Sequence, residues 1–201
     1  MKIFGHPAST CTRKVLMTLN ETKTPFELVV VDFAKGEHKQ PAHLARQPFG
    51  QVPTLDDDGF KMYESRAMSR YIDGKAGAPL TPKDARDRAL MEQWLSIETS
   101  NFAGHAMKFI YQYVFRREQP ADVLKSAGAG LDLAYTVMNE RLTAAPYLAG
   151  QAFSIADICF MPYLEYLALS PAGEKLSEHP QVAAWWKKLS AREAWGKTVG
   201  R

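Results

Sequence analysis

Pro48-Phe49-Gly50-Gln51-Val52-Pro53-Thr54-Leu55 runs from a turn into a short strand that stops at Asp56-Asp57-Asp58 and Gly59. A proline at the first strand position forfeits no ladder hydrogen bond, and X-Pro is where a cis peptide is accessible. A cis bond between Val52 and Pro53 turns the main-chain groups of Val52 out of the sheet, towards a ligand. Lys61-Met62-Tyr63 reads as a second strand, after which Glu64-Ser65 opens a helix. A serine at a helix start, beside unpaired backbone N–H groups, is a site for a carboxylate. An exposed peptide edge next to a carboxylate socket suits a small peptide ligand.

Residues 1–75 alternate short strands with helices. Residues 1–4 and 26–31 predict strands, being short and rich in β-branched or aromatic side chains. Residues 10–21 predict a helix with Val15, Leu16 and Leu19 on one face and Arg13 and Lys14 on another. Strand, helix, strand implies a parallel pair with a right-handed crossover, and the strands at Thr54 and Lys61 are too close to be anything but antiparallel. That is the order of a thioredoxin-like α/β domain. Ala76-Gly77-Ala78-Pro79-Leu80-Thr81-Pro82 makes 76–83 a linker. Residues 84–201 read as all-helical: one long helix from 84 to about 117, another after Pro120, and the most apolar one over 155–169 as the buried centre.

The 201 residues are 46% hydrophobic, enough to bury a substantial core, and no apolar run spans a bilayer. Gly5 and Pro7 interrupt the start before a signal-peptide core forms. Cys11 and Cys159 make no CxxC or zinc pattern, which favours a reducing, cytoplasmic setting. A net charge of +3 argues for no nucleic-acid partner. The basic C-terminus interleaves Lys187, Lys188 and Arg192 with Trp185, Trp186 and Trp195 at helical spacing, a solvated face over buried indoles.

Gln51-Val52-Pro53 with Glu64-Ser65-Arg66 resembles the glutathione-binding half of cytosolic glutathione transferases. Lys2 to Ser9, Thr12-Arg13-Lys14-Val15-Leu16, and Gly36-Glu37-His38-Lys39 ahead of Pro48-Phe49-Gly50 resemble the phi class in particular. The likeness continues through Tyr147-Leu148-Ala149-Gly150 and Phe153-Ser154-Ile155-Ala156-Asp157 to His179-Pro180, covering nearly the whole chain. It implies a thioredoxin-like N-terminal domain followed by an all-α C-terminal domain, a homodimer, and attack of a glutathione thiolate on a small hydrophobic electrophile. Glutathione is then a co-substrate, with no bound cofactor.

Ser9 precedes the first helix, where the dipole and free N–H groups favour negative charge. Its local sequence reads most simply as an N-cap; the resemblance implies the catalytic serine, donating to the thiolate. The resemblance likewise implies Ser65 and Glu64 at the γ-glutamyl end, Val52 pairing with the cysteinyl residue, His38 and Lys39 at the glycine carboxylate, and Gln51 in the polar wall. It puts Met107, Tyr111 and Phe115, spaced by four, at the hydrophobic substrate, although a core stripe explains such spacing equally. Phe49 is expected at a dimer contact.

Cys11 turns away from the Ser9 side if both are helical, at ~100° per residue. Two competitors stay open: a thiol–disulfide reductase working through Cys11, and a non-catalytic binding or regulatory protein of the same fold. Ser154 and Asp157 form a capping box, with Phe153 and Ile158 as its staple, so Asp157 is structural. Pro162 inside that helix is expected to kink it. The histidines His6, His38, His43, His105 and His179 have no metal-ligand spacing, and Gly128-Ala129-Gly130 lacks the Lys-Ser/Thr of a phosphate loop.

Overall fold

The computed structural model describes residues 1–201. They form two compact units: Met1–Leu80 together with Glu193–Arg201, and Thr81–Arg192. The first is a thioredoxin-like α/β domain. Its elements are β1 (Lys2–Gly5), α1 (Thr10–Glu21), β2 (Glu27–Val30), a 3-10 turn Glu37–Lys39, α2 (Pro41–Leu44), β3 (Thr54–Asp57), β4 (Phe60–Tyr63) and α3 (Ser65–Lys75). The sheet order is β2-β1-β3-β4. β1 and β2 are parallel, as the intervening helix requires, and the other pairs are antiparallel.

Ile3 and Leu55, paired across β1 and β3, join Val15, Leu16 and Leu19 of α1 and Met68 and Ile72 of α3 in one core. Each such side chain taken from water contributes about 1.5–3 kcal/mol. The β3–β4 turn has φ of 52° at Asp58 and 94° at Gly59, the two positive values that an Asp-Gly hairpin turn supplies. Strand β3 therefore extends into the acidic run as far as Asp57 instead of stopping before it. The cost of burying Asp57 is met by Tyr71, whose hydroxyl donates to Oδ2 at 2.6 Å, and by the Lys75 ammonium.

Two expectations change in this unit. Lys14 is fully buried, because α1 is flanked by α3 and by the C-terminal helix and little of it meets solvent. That C-terminal helix, Glu193–Val199, belongs to this unit and packs on α1, so the division differs from the expected 84–201. Asn20 of α1 donates to Thr198 Oγ1 at 2.9 Å, and Trp195 is fully buried.

The second unit is helical: α4 (Ala85–Ile97), α5 (Ala103–Phe109), α6 (Ala121–Ala144), α7 (Ile155–Leu167), α8 (Pro171–Glu174) and α9 (Pro180–Ser190), the C-terminal helix being α10. The long helix expected from 84 is divided by π-helical turns at Glu98–Phe102 and Ile110–Val114. Helix α7 is buried on almost every face and runs through Pro162. Its Phe160 meets Trp94, Phe102 and Trp185 edge-on at 4.9–6.5 Å between ring centroids. No helix is long and apolar enough to cross a membrane.

Candidate functional site

Strand register gathers the expected residues of the first unit at one end of the sheet. Gly5 pairs with Val30, so β1 and β2 finish side by side, leading to Ser9 and to His38-Lys39 respectively. Phe4 pairs with Thr54 and Thr54 with Tyr63, which places the entry to β3 and the exit from β4 at the same end. Gln51-Val52-Pro53 feeds that entry, and Glu64-Ser65 follows that exit. Rings tie two of these loops together: His6 stacks on Phe33 at 4.9 Å, and Phe33 meets His38 edge-on at 5.0 Å.

Ser9 is the N-cap of α1, its Oγ accepting from the Thr12 amide at 3.3 Å. Accepting that bond leaves the hydroxyl proton free, since a serine has one donor as well as two lone pairs. Within the chain this proton has no acceptor. The cap and the chemistry expected of Ser9 are therefore compatible.

The Val52–Pro53 peptide is cis, and Val52 lies outside the ladders with neither main-chain polar group hydrogen-bonded within the chain. The residue before it is held firmly. His43 Nε2 donates to the Gln51 carbonyl at 2.7 Å, and the Gln51 amide donates to Gln47 Oε1 at 3.2 Å. The Lys39 ammonium donates to the Phe49 carbonyl at 3.0 Å. It lies so close to Gly50, at φ 62°, that a Cβ there would come within 2.7 Å of Lys39 Nζ. His38 Nδ1 is buried without a partner.

Glu64 has φ 73° and ψ 103°, a conformation that costs a non-glycine residue about 1–3 kcal/mol and is usually kept for function. It stands at the N-terminus of α3 without capping it. Ser65 is 4% exposed and its hydroxyl has no partner in the chain. An uncapped helix start presents unpaired backbone N–H groups, beside which the Ser65 hydroxyl adds a further donor.

The chain matches the N-terminal domain model of glutathione S-transferases over residues 1–74 and the C-terminal domain model over residues 102–193. It is 36% identical to glutathione S-transferase F9 of Arabidopsis thaliana, over 100% of this chain and 97% of that protein. The chain belongs to the glutathione S-transferase family. The crystal structure of glutathione transferase F2 from Populus trichocarpa superposes with a TM-score of 0.93 at 34% identity, covering 99% of this transferase and 97% of that chain. Maize glutathione S-transferase I, solved with an atrazine glutathione conjugate, gives 0.91 at 29% identity, over 99% and 96% of the two chains.

In this transferase Met107, Tyr111 and Phe115 belong to the second unit and are half-buried. The π turn between them closes through the Phe115 amide on the Ile110 carbonyl at 3.0 Å, so a spacing of four no longer traces a simple α-helical stripe. Tyr111 and Phe115 still touch, at 6.3 Å between centroids, and Phe115 packs edge-on against Tyr166 at 5.5 Å. Cys11, in the first turn of α1, is a half-buried free thiol, and Cys159 is buried in α7. No group of three or more His, Cys, Asp or Glu side chains is placed to hold a metal ion.

His43 and Gln47 did not figure among the expected site residues. Their signal was present as the four-residue spacing His43, Gln47, Gln51, which a helical turn followed by a tight turn can bring together.

Proposed function

We propose that this chain catalyses attack of the glutathione thiolate on an electrophilic carbon of a small apolar substrate, forming a C–S bond as the leaving group departs. The observation that carries it is the convergence, at one sheet end, of a spare hydroxyl proton on Ser9, an unpaired main chain at Val52 and an uncapped α3 at Ser65. Strands lie ~4.8 Å apart, so the end of a four-stranded sheet is about 14 Å wide. A tripeptide extends to about 10 Å and fits across it.

In this reading the γ-glutamyl carboxylate meets Ser65 and the first amides of α3, and its amino group meets Glu64. The cysteinyl residue pairs with the Val52 main chain as an added strand. Lys39, with two N–H donors beyond its bond to Phe49, and His38 take the glycine carboxylate, and Gln51 closes the polar wall. Ser9 donates to sulfur. A thiol ionises near pH 8.5 unaided, and a donor that bonds the thiolate better than the thiol lowers that value. Met107, Tyr111 and Phe115 contact the electrophile. No cofactor enters this chemistry; glutathione is a co-substrate, and orientation with charge stabilisation suffices. A two-fold homodimer with Phe49 at the contact, a cytoplasmic setting and a role in detoxification complete the proposal.

The experiment is thermal unfolding with millimolar glutathione. Glutathione raises the melting temperature of the wild type by mass action and raises that of Ser65→Ala less. No shift in the wild type would remove the assignment.

A further inference from the structure

We infer that His43 and Gln47 are positioning residues for glutathione, holding the Gln51–Val52 main chain in the shape the peptide pairs with. The inference rests on the glutathione site proposed above. Both side chains are almost fully buried, at 3% and 1% exposure. Polar groups are costly to bury, so their partners matter, and those partners converge on one residue.

His43 Nε2 meets the Gln51 carbonyl at 2.7 Å; a carbonyl only accepts, so Nε2 carries a proton. Gln47 Oε1 accepts from the Gln51 amide at 3.2 Å, and Gln47 Nε2 donates to Gln51 Oε1 at 3.3 Å. The Gln47 carbonyl also accepts from the Gly50 amide at 2.9 Å. Both main-chain groups of Gln51 and its side-chain oxygen are thus occupied from within. Its Nε2 donors and both main-chain groups of Val52 are left for a ligand. One residue is fixed on three sides and the next presents an unpaired edge, as a template for an incoming strand requires. Helix α2 is a single turn and contributes only His43 among its buried residues, so an apolar anchor does not explain the arrangement.

Without the clamp, Gln51–Val52 samples conformations that cannot pair with the peptide, and apparent affinity falls in proportion to the competent fraction. Once glutathione is bound the edge is restored, so turnover at saturation is spared. The test is calorimetric glutathione binding and steady-state kinetics on the full chain, for wild type, His43→Phe, His43→Gln and Gln47→Leu. Loss of one buried bond should weaken glutathione about tenfold in His43→Phe and Gln47→Leu, leaving kcat at saturating glutathione within about twofold. His43→Gln, whose amide N–H reaches near the Nε2 position, should recover most of the affinity. If the apolar variants do not fold, Gln47→Glu carries the test, since it keeps the size and the acceptor but turns a lone pair towards Gln51 Oε1; it must raise KM for glutathione and spare kcat. Wild-type affinity in the folded variants, or loss of kcat with unchanged KM, overturns the positioning role. A wild type that does not bind glutathione overturns the site itself.

Discussion

Trp185 Nε1 donates to Asp157 Oδ1 at 3.0 Å, joining α9 to the first turn of α7. The same oxygen accepts from the Leu148 amide at 3.0 Å, and Oδ2 accepts from the amide and hydroxyl of Ser154 at 2.9 and 3.0 Å. Asp157 is thus a capping-box residue that also anchors two other segments. Burial pushes its carboxyl above the usual carboxylate range, against the pull of these hydrogen bonds.

Asp157→Ala leaves the Leu148 amide and the Trp185 indole buried without an acceptor. The expected loss of stability is about 2–4 kcal/mol, more than an exposed cap is worth. Turnover per folded molecule should stay at the wild-type level. Denaturant melts alongside kinetics decide it; normal stability with lost activity would mean that the acid is catalytic.

Asp57 predicts a pH effect. Hydrogen bonds from Lys75 and then Tyr71 hold its carboxyl below the ordinary value of 3.8. Around that value the unfolded chain binds the proton more tightly than the folded one. The stability Asp57 contributes is therefore complete above the ordinary value and is lost as pH falls through the lowered one. Asp57→Asn should be less stable than wild type at neutral pH, and the gap should narrow as pH falls below the ordinary value of 3.8. Melting temperatures across that range check it, and a constant gap refutes it.

Phe49 is 66% exposed and meets only the edge of Tyr63, at 6.3 Å. An aromatic left in solvent at a loop tip is the kind of side chain that anchors contacts between chains. Phe49→Ser should shift sedimentation at micromolar concentration from dimer to monomer. An unchanged dimer, or a monomeric wild type, removes Phe49 from the interface.

The sheet end was legible in the sequence because its signals are local. Pro53 sits at a strand entry, Ser65 at a helix start, and the strands are short enough for their order to follow from loop lengths. The capping box was legible for the same reason, since Ser154 and Asp157 are three residues apart. What the sequence hid depends on tertiary contact. Lys14 looks polar by type but is enclosed by neighbouring helices, and α10 carries no local mark that it packs on α1. The π turns at Glu98–Phe102 and Ile110–Val114 interrupt an apolar pattern that reads as one helix. The bond of His43 to the Gln51 carbonyl depends on the turn that brings the chain back onto α2, and beyond the four-residue spacing no local pattern at His43 marks it.

The role proposed for Ser9, stabilising the bound thiolate, is read out by the pH–rate profile of Ser9→Ala with a chloronitroaromatic substrate. Losing the cap to Thr12 costs about 1 kcal/mol of stability and by itself moves no titration. Losing a donor to sulfur should cut turnover about tenfold or more, raise the apparent pKa of the bound thiol and leave glutathione affinity nearly unchanged. Cys11→Ala should match the wild type in both quantities. An active, unshifted Ser9→Ala beside an inactive Cys11→Ala would remove Ser9 from the chemistry and make the chain a thiol–disulfide enzyme.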